Sequence, residues 1–131
     1  MLLSNSGHRL KYLNIVCEAN EDWADLNGLA GRFRIEFRPG QLAGGQAQVT
    51  GSHPLVDGVV SIAGAVDNGV PFDHDGGVVL ARAGADPALL IRTVGMGEVL
   101  VMADVGMLGN NGDTPENLRF WRNLATYARS R

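Results

Sequence analysis

Short apolar runs separated by glycine-rich breaks set the rhythm of this chain. Met1–Ser4 (MLLS) reads as a short buried strand that breaks at Asn5-Ser6-Gly7-His8, residues suited to a turn. In the stretch Arg9–Asn20, Leu10, Leu13 and Cys17 keep helical spacing while Tyr12, Ile15 and Val16 do not. A loop with one helical turn is expected there. Asn20 is suited to cap a helix that runs to about Phe33, with Glu21, Asp22 and Asp25 favouring its positive end. Trp23, Leu26, Leu29, Ala30 and Phe33 give that helix one apolar face. Arg34–Arg38 alternates as a strand does, and Pro39-Gly40 stops it.

The middle of the chain reads as strands and turns. Gln46–Thr50 is an expected edge strand, and Ser52-His53-Pro54-Leu55 starts a tight turn or a short helix. Val59–Val66 carries few charges and reads as a strand covered on both faces. Asp67-Asn68-Gly69 is a turn, and Val70–Gly77 a loop. Three further strands follow, at Val78–Arg82, Ala88–Val94 and Glu98–Ala103, joined by Ala83–Pro87 and Gly95-Met96-Gly97. The last element is the best specified. Asp113 or Thr114 caps a helix, Pro115 takes its first position, and Leu118, Trp121, Leu124, Ala125 and Ala128 form its expected core stripe.

Composition narrows the class. The 131 residues, 45% hydrophobic and 19% charged, suit one globular domain over 1–131. The apolar start at Met1 points to a truncated domain. A net charge of −3 gives no basic footprint for nucleic acid. Cys17 is the one cysteine, which excludes an intrachain disulfide and a Cys-rich zinc site. A cytoplasmic setting is the resulting expectation. No apolar run reaches the roughly 20 residues of a transmembrane helix.

Candidate chemistry collects at the ends of strands. Asp104 closes a buried strand, where open α/β sheets place ligand groups. It reads as a ligand carboxylate, or more simply as an acceptor for amides of the Gly106–Gly112 loop. Asn110 lies in that loop and joins Asn5, His8, His53 and Asp104 as the candidate ligand-binding set. His53, before Pro54, equally suits a cap for the short helix. Asp73-His74-Asp75 is the densest group of metal-ligand types, and without ligands from elsewhere it is a solvated turn. A triad of Ser4 or Ser6 with His8 and Asp104 lacks the G-x-S-x-G turn that would present the serine.

Four stretches in order resemble class I glutamine amidotransferase-like domains, closest to the non-catalytic, trehalose-utilisation-type branch. They are MLLSNSG, DLNGLAGRFRIEF, SHPLVDGV, and GMGEVLVMADVGMLGN with ENLRFWRNLATYA. The resemblance implies the C-terminal part of an α/β, flavodoxin-like three-layer sandwich with a mixed sheet, incomplete at its N-terminus. It also implies an uncovered sheet edge, hence a homodimer or another chain covering that edge. Catalytic members carry a Cys after the first of these strands and a His with a Glu after the last. Here those places hold Ser4-Asn5-Ser6-Gly7 and Asp104-Val105-Gly106-Met107. The expectation is therefore a non-catalytic binding or structural module with no cofactor, whose ligand is a small molecule or carbohydrate. The alternative is a small hydrolase or metal-dependent enzyme using Asn5, His8 and Asp104, with His53 nearby.

Overall fold

The computed structural model describes residues 2–5, 9–16, 23–64, 69–108 and 114–130. The central feature is a seven-stranded sheet. Its strands are β1 (Leu2–Asn5), β2 (Arg9–Val16), β4 (Gln46–Val49), β5 (Ser61–Ala63), β7 (Val78–Ala83), β8 (Asp86–Val94) and β9 (Gly97–Met102). Across the sheet the order is β1-β2-β9-β8-β7-β4-β5. Two further strands, β3 (Ile35–Phe37) and β6 (Phe72–His74), pair antiparallel as a separate ribbon. The α-helices are α1 (Trp23–Ala30) and α2 (Pro115–Ser130).

All neighbouring strands run antiparallel except β2 and β9, which are parallel from Tyr12↔Glu98 to Val16↔Met102. The connections explain this. Ala83 pairs with Asp86 and Val94 with Gly97, so β7–β8 and β8–β9 are hairpins. A parallel pair needs a crossover of a dozen residues or more, and these turns leave no room for one.

That arrangement overturns the flavodoxin-like three-layer sandwich, and with it the glutamine amidotransferase-like resemblance. Such a sandwich alternates strands with covering helices, whereas among the described residues two α-helices accompany a mostly antiparallel sheet. The place expected to hold a catalytic elbow also differs. β1 pairs antiparallel with the β2 that follows it, Asn5 opposite Arg9, rather than leading into a helix.

The core lies on both sides of β8 and β9. Pro87–Ile91 and Val99–Ala103 are buried without alternation, so both faces of these strands are covered. Phe37 and Phe72 of the ribbon meet edge to face at 5.6 Å, with Phe120 of α2 and Met107 equally enclosed.

Several elements differ from the sequence reading. Arg9–Val16 is an eight-residue strand rather than a loop with a helical turn, because pairing on both sides outweighs its weak local preference. Gln46–Val49 is interior, with β5 beyond it as the edge. Residues 72–74 form a strand inside the expected loop. The buried face of α2 is rotated toward Asn117, Phe120 and Tyr127; of the expected stripe Trp121 and Leu124 pack against the core, while Leu118 and Ala125 are exposed. The expected helix from Asn20 begins at Trp23 among the described residues and tightens to a 3-10 turn over Gly31–Phe33.

Candidate functional site

The site grows from the way α2 closes the sheet. Thr114 caps the helix by accepting the Asn117 N–H at 3.1 Å, and Pro115 takes the first position. Among the described residues β5 has a strand neighbour on one side only, and side chains of α2 bond to the chain on its other side. Asn117 accepts the Ala63 N–H and donates to the Ala63 carbonyl, each at 2.9 Å. Glu116 accepts the Val60 N–H at 2.8 Å. Asn123 donates to the carbonyls of Leu55 (3.2 Å) and Asp57 (2.9 Å), and Arg119 Nε donates to that of Asp57 at 2.9 Å. The helix thus stands where an eighth strand would.

Between residues 49–59 and the C-terminal half of α2 opens a cleft of about 950 Å³. Ser52, His53, Asp57, Arg122, Asn123 and Tyr127 supply its chemistry. Its aromatic groups are fixed from outside the cleft. His53 caps the 3-10 turn Pro54–Val56, its Nδ1 accepting the Leu55 N–H at 3.2 Å. With Nδ1 an acceptor, the neutral ring carries its proton on Nε2. The ring meets Tyr127 edge to face at 5.0 Å, and the Tyr127 hydroxyl donates to Glu98 Oε1 at 2.7 Å. Two glycines of the cleft lining have no room for a side chain: at Gly51 a Cβ would meet the Val79 carbonyl oxygen. Gly58 holds φ +68°, and a Cβ there would run into the Arg119 guanidinium.

The residues singled out in the sequence fall in different places. His53 caps a turn, as considered for it, and its side chain also lines the cleft. Asp104 is 2% exposed, and its Oδ1 accepts the Gly106 N–H at 2.7 Å, beside a close backbone crossing of Gly64 and Gly106. It does not line the cleft. Asn5 ends β1, and His8, Asn110, Ser6 and Cys17 lie outside the described residues. The structure therefore does not bring Asn5, His8 and Asp104 together as a described group.

Asp73, His74 and Asp75 are engaged separately. Asp73 is 3.0 Å from Arg38 Nε, an ion pair without hydrogen-bond alignment, and Arg38 also reaches Asp86 at 3.2 Å. Asp75 binds Arg34 at 2.8 Å, and His74 Nδ1 lies 3.0 Å from the Gly76 carbonyl oxygen. Among the described residues no three His, Cys, Asp or Glu side chains gather as a metal site.

Sequence reasoning missed Arg122, Asn123, Tyr127 and Glu98. A polar helix face is ordinarily solvated, so nothing marked these residues individually. One signal was present. Asn117 and Asn123 are poor helix formers inside a helix, and such residues often serve neighbouring backbone groups.

No family model matches the chain, and no curated protein sequence does. Among solved structures, an "mmIFT52 N-terminal domain" superposes with a TM-score of 0.70. The likeness is one of fold alone. The match covers 92% of this chain and 65% of that one, at 13% identity. This finding, with the hairpin connections, replaces the glutamine amidotransferase-like and flavodoxin-like assignments. No helix among the described residues is long and apolar enough to cross a membrane.

Proposed function

We propose that this chain is a non-catalytic binding module whose ligand lies in the cleft between residues 52–59 and α2. The observation that carries this reading is that the cleft's polar groups are already fixed by contacts within the chain. His53 is held by the Leu55 N–H and Tyr127, Tyr127 by Glu98, and Asn123 by two backbone carbonyls. Side chains fixed before binding lose little freedom on binding. Catalysis by Ser52 and His53 has less support. His53 Nδ1, the nitrogen that a triad carboxylate engages, already takes the Leu55 N–H, and Asp57 faces Arg119 at 3.6 Å.

The test is amide NMR with a panel of hydroxylated and carboxylated small molecules, sugars and sugar phosphates included. Shifts confined to residues 52–59 and 122–127 are expected from at least one class. Silence there with every compound at millimolar concentration refutes the reading.

The partner proposal concerns the opposite edge. Among the described residues β1 ends the sheet with β2 as its neighbour, while α2 closes the β5 edge. A strand from another chain, a second copy in the simplest case, extends the sheet at β1. Light scattering that shows dissociation on dilution supports the homodimer. A strict monomer at high concentration rejects it.

A further inference from the structure

The wall of the cleft that faces α2 is a short segment pinned at both ends. At its start the Thr50 and Gly51 N–H groups donate to the Leu80 carbonyl, and Gly51 has no room for a Cβ beside the Val79 carbonyl oxygen. At its end Gly58 lies against the Arg119 guanidinium. Residues 52–57 between them carry the 3-10 turn Pro54–Val56. The turn is held from two sides. From α2, Asn123 donates to the carbonyls of Leu55 and Asp57, and Arg119 Nε to that of Asp57. From the segment itself, His53 Nδ1 accepts the Leu55 N–H.

Of these bonds, only the one at His53 depends on a proton exchanged near neutral pH. Nδ1 accepts in the neutral imidazole alone, because the imidazolium carries an N–H at both nitrogens. A proton there sets two donors face to face, and the cap is lost. His74 is the contrast. Its Nδ1 faces the Gly76 carbonyl oxygen at 3.0 Å, a contact that a protonated ring keeps. The charged side chains around His53 are of both signs. The two clefts that it lines hold Asp57, Arg122 of α2, Glu98 of β9 and Arg92 of β8, with Tyr127 against the ring itself. Asp57 lies 3.6 Å from Arg119, and Glu98 accepts the Tyr127 hydroxyl. With two charges of each sign nearby, the bond at Nδ1 is what separates the neutral ring from the protonated one.

We propose that His53 is a pH-sensitive latch on the wall of the cleft: neutral, it holds residues 52–57 in place, and protonated, it releases them. As control of ligand binding this rests on the binding-module reading, whereas movement of the wall is observable without a ligand. The direction follows from the bond. The cap is complete above the ordinary imidazole value of about 6.5 and is lost as pH falls below it. Release reaches α2, because the carbonyls of Leu55 and Asp57 are the acceptors of the Asn123 amide.

The experiment follows the full chain by NMR from about pH 7.5 to about pH 5.5, a unit either side of the imidazole value. The His53 ring protons, the Leu55 amide and the Asn123 side-chain amide are expected to move along one titration curve. Hydrogen exchange at Leu55, Val56 and Asp57, corrected for its intrinsic dependence on pH, rises about five-fold, the scale of one lost cap. The Thr50 and Gly51 amides keep their rates. His53→Asn and His53→Ser each supply a capping side chain that does not titrate, and both are expected to abolish the response. Far-UV circular dichroism checks that the variants remain folded. A Leu55 amide that stays still while His53 titrates overturns the proposal, as does a response that stops at Leu55 and never reaches Asn123. A response that persists in the variants belongs to another group and overturns it too. None of these readings needs a ligand, so they fail or stand apart from the small-molecule panel that tests the binding-module reading.

Discussion

At the scale of single residues, two asparagines do the same unusual work. Asn117 closes two hydrogen bonds on Ala63, and Asn27 closes two on Phe37, at 2.8 Å and 2.9 Å. Each side-chain amide imitates the backbone of a missing strand neighbour. Asn117→Ala leaves the Ala63 N–H and C=O without those partners, and is expected to cost about 2–4 kcal/mol. Urea unfolding with an unchanged m-value reads that loss. Asn117→Asp keeps the acceptor but removes the donor, so it too destabilises. Gly58→Ala is expected to cost about 1–3 kcal/mol from its left-handed φ alone, with the Arg119 collision added. A cycle with Arg119→Ala separates the two, since that change removes the collision and leaves the strain. Single residues were partly legible. His53 before Pro54 was readable as a cap, and Asp104 as an acceptor for the loop after it, since both bonds are local. The Asn117–Ala63 bond spans 54 positions, and no local pattern announces it.

At the scale of elements, α2 is a well-capped helix that also acts as the cover of a strand edge. Thr114→Ala removes the cap and is expected to lower stability by about 1 kcal/mol. Because α2 holds β5, the amides of Ser61–Ala63 should gain hydrogen-exchange rate in that variant while those of β8 do not. Equal acceleration everywhere would show that the helix and β5 do not loosen together. Tyr127→Phe keeps the ring against His53 but loses the bond to Glu98, at about 0.5–1.5 kcal/mol. The helix itself was legible from Thr114-Pro115-Glu116. Its rotation was not, because Leu118 and Ala125 are as apolar as a core stripe requires. The buried Asn117, which selects the actual face, is polar. Arg9–Val16 hid for the opposite reason. Its alternation is weak, and pairing with β1 and β9 makes it a strand.

At the scale of the whole molecule, stability concentrates in the strands covered on both faces. Leu90→Ala, at a fully buried position of β8, is expected to cost about 2–5 kcal/mol. Val60→Ser, at a site 70% exposed, should stay within about 0.5 kcal/mol. Thermal or urea unfolding of the pair checks that ordering. The sequence by itself determined the local punctuation of the chain, the tight turns before Asp86 and Gly97 and the cap of α2, and its net charge of −3. These depend on backbone preferences and charge, which act over a few residues or need no geometry at all. The tertiary structure alone decided the mostly antiparallel order of the sheet, the closure of β5 by a helix, and the cleft beside α2. The last two join residues 49–63 to 114–130, and contacts so distant in sequence follow from the path of the whole chain. The short hairpins were readable as turns, but what they exclude, a sheet built from helical crossovers, became decisive only once the strands were seen side by side.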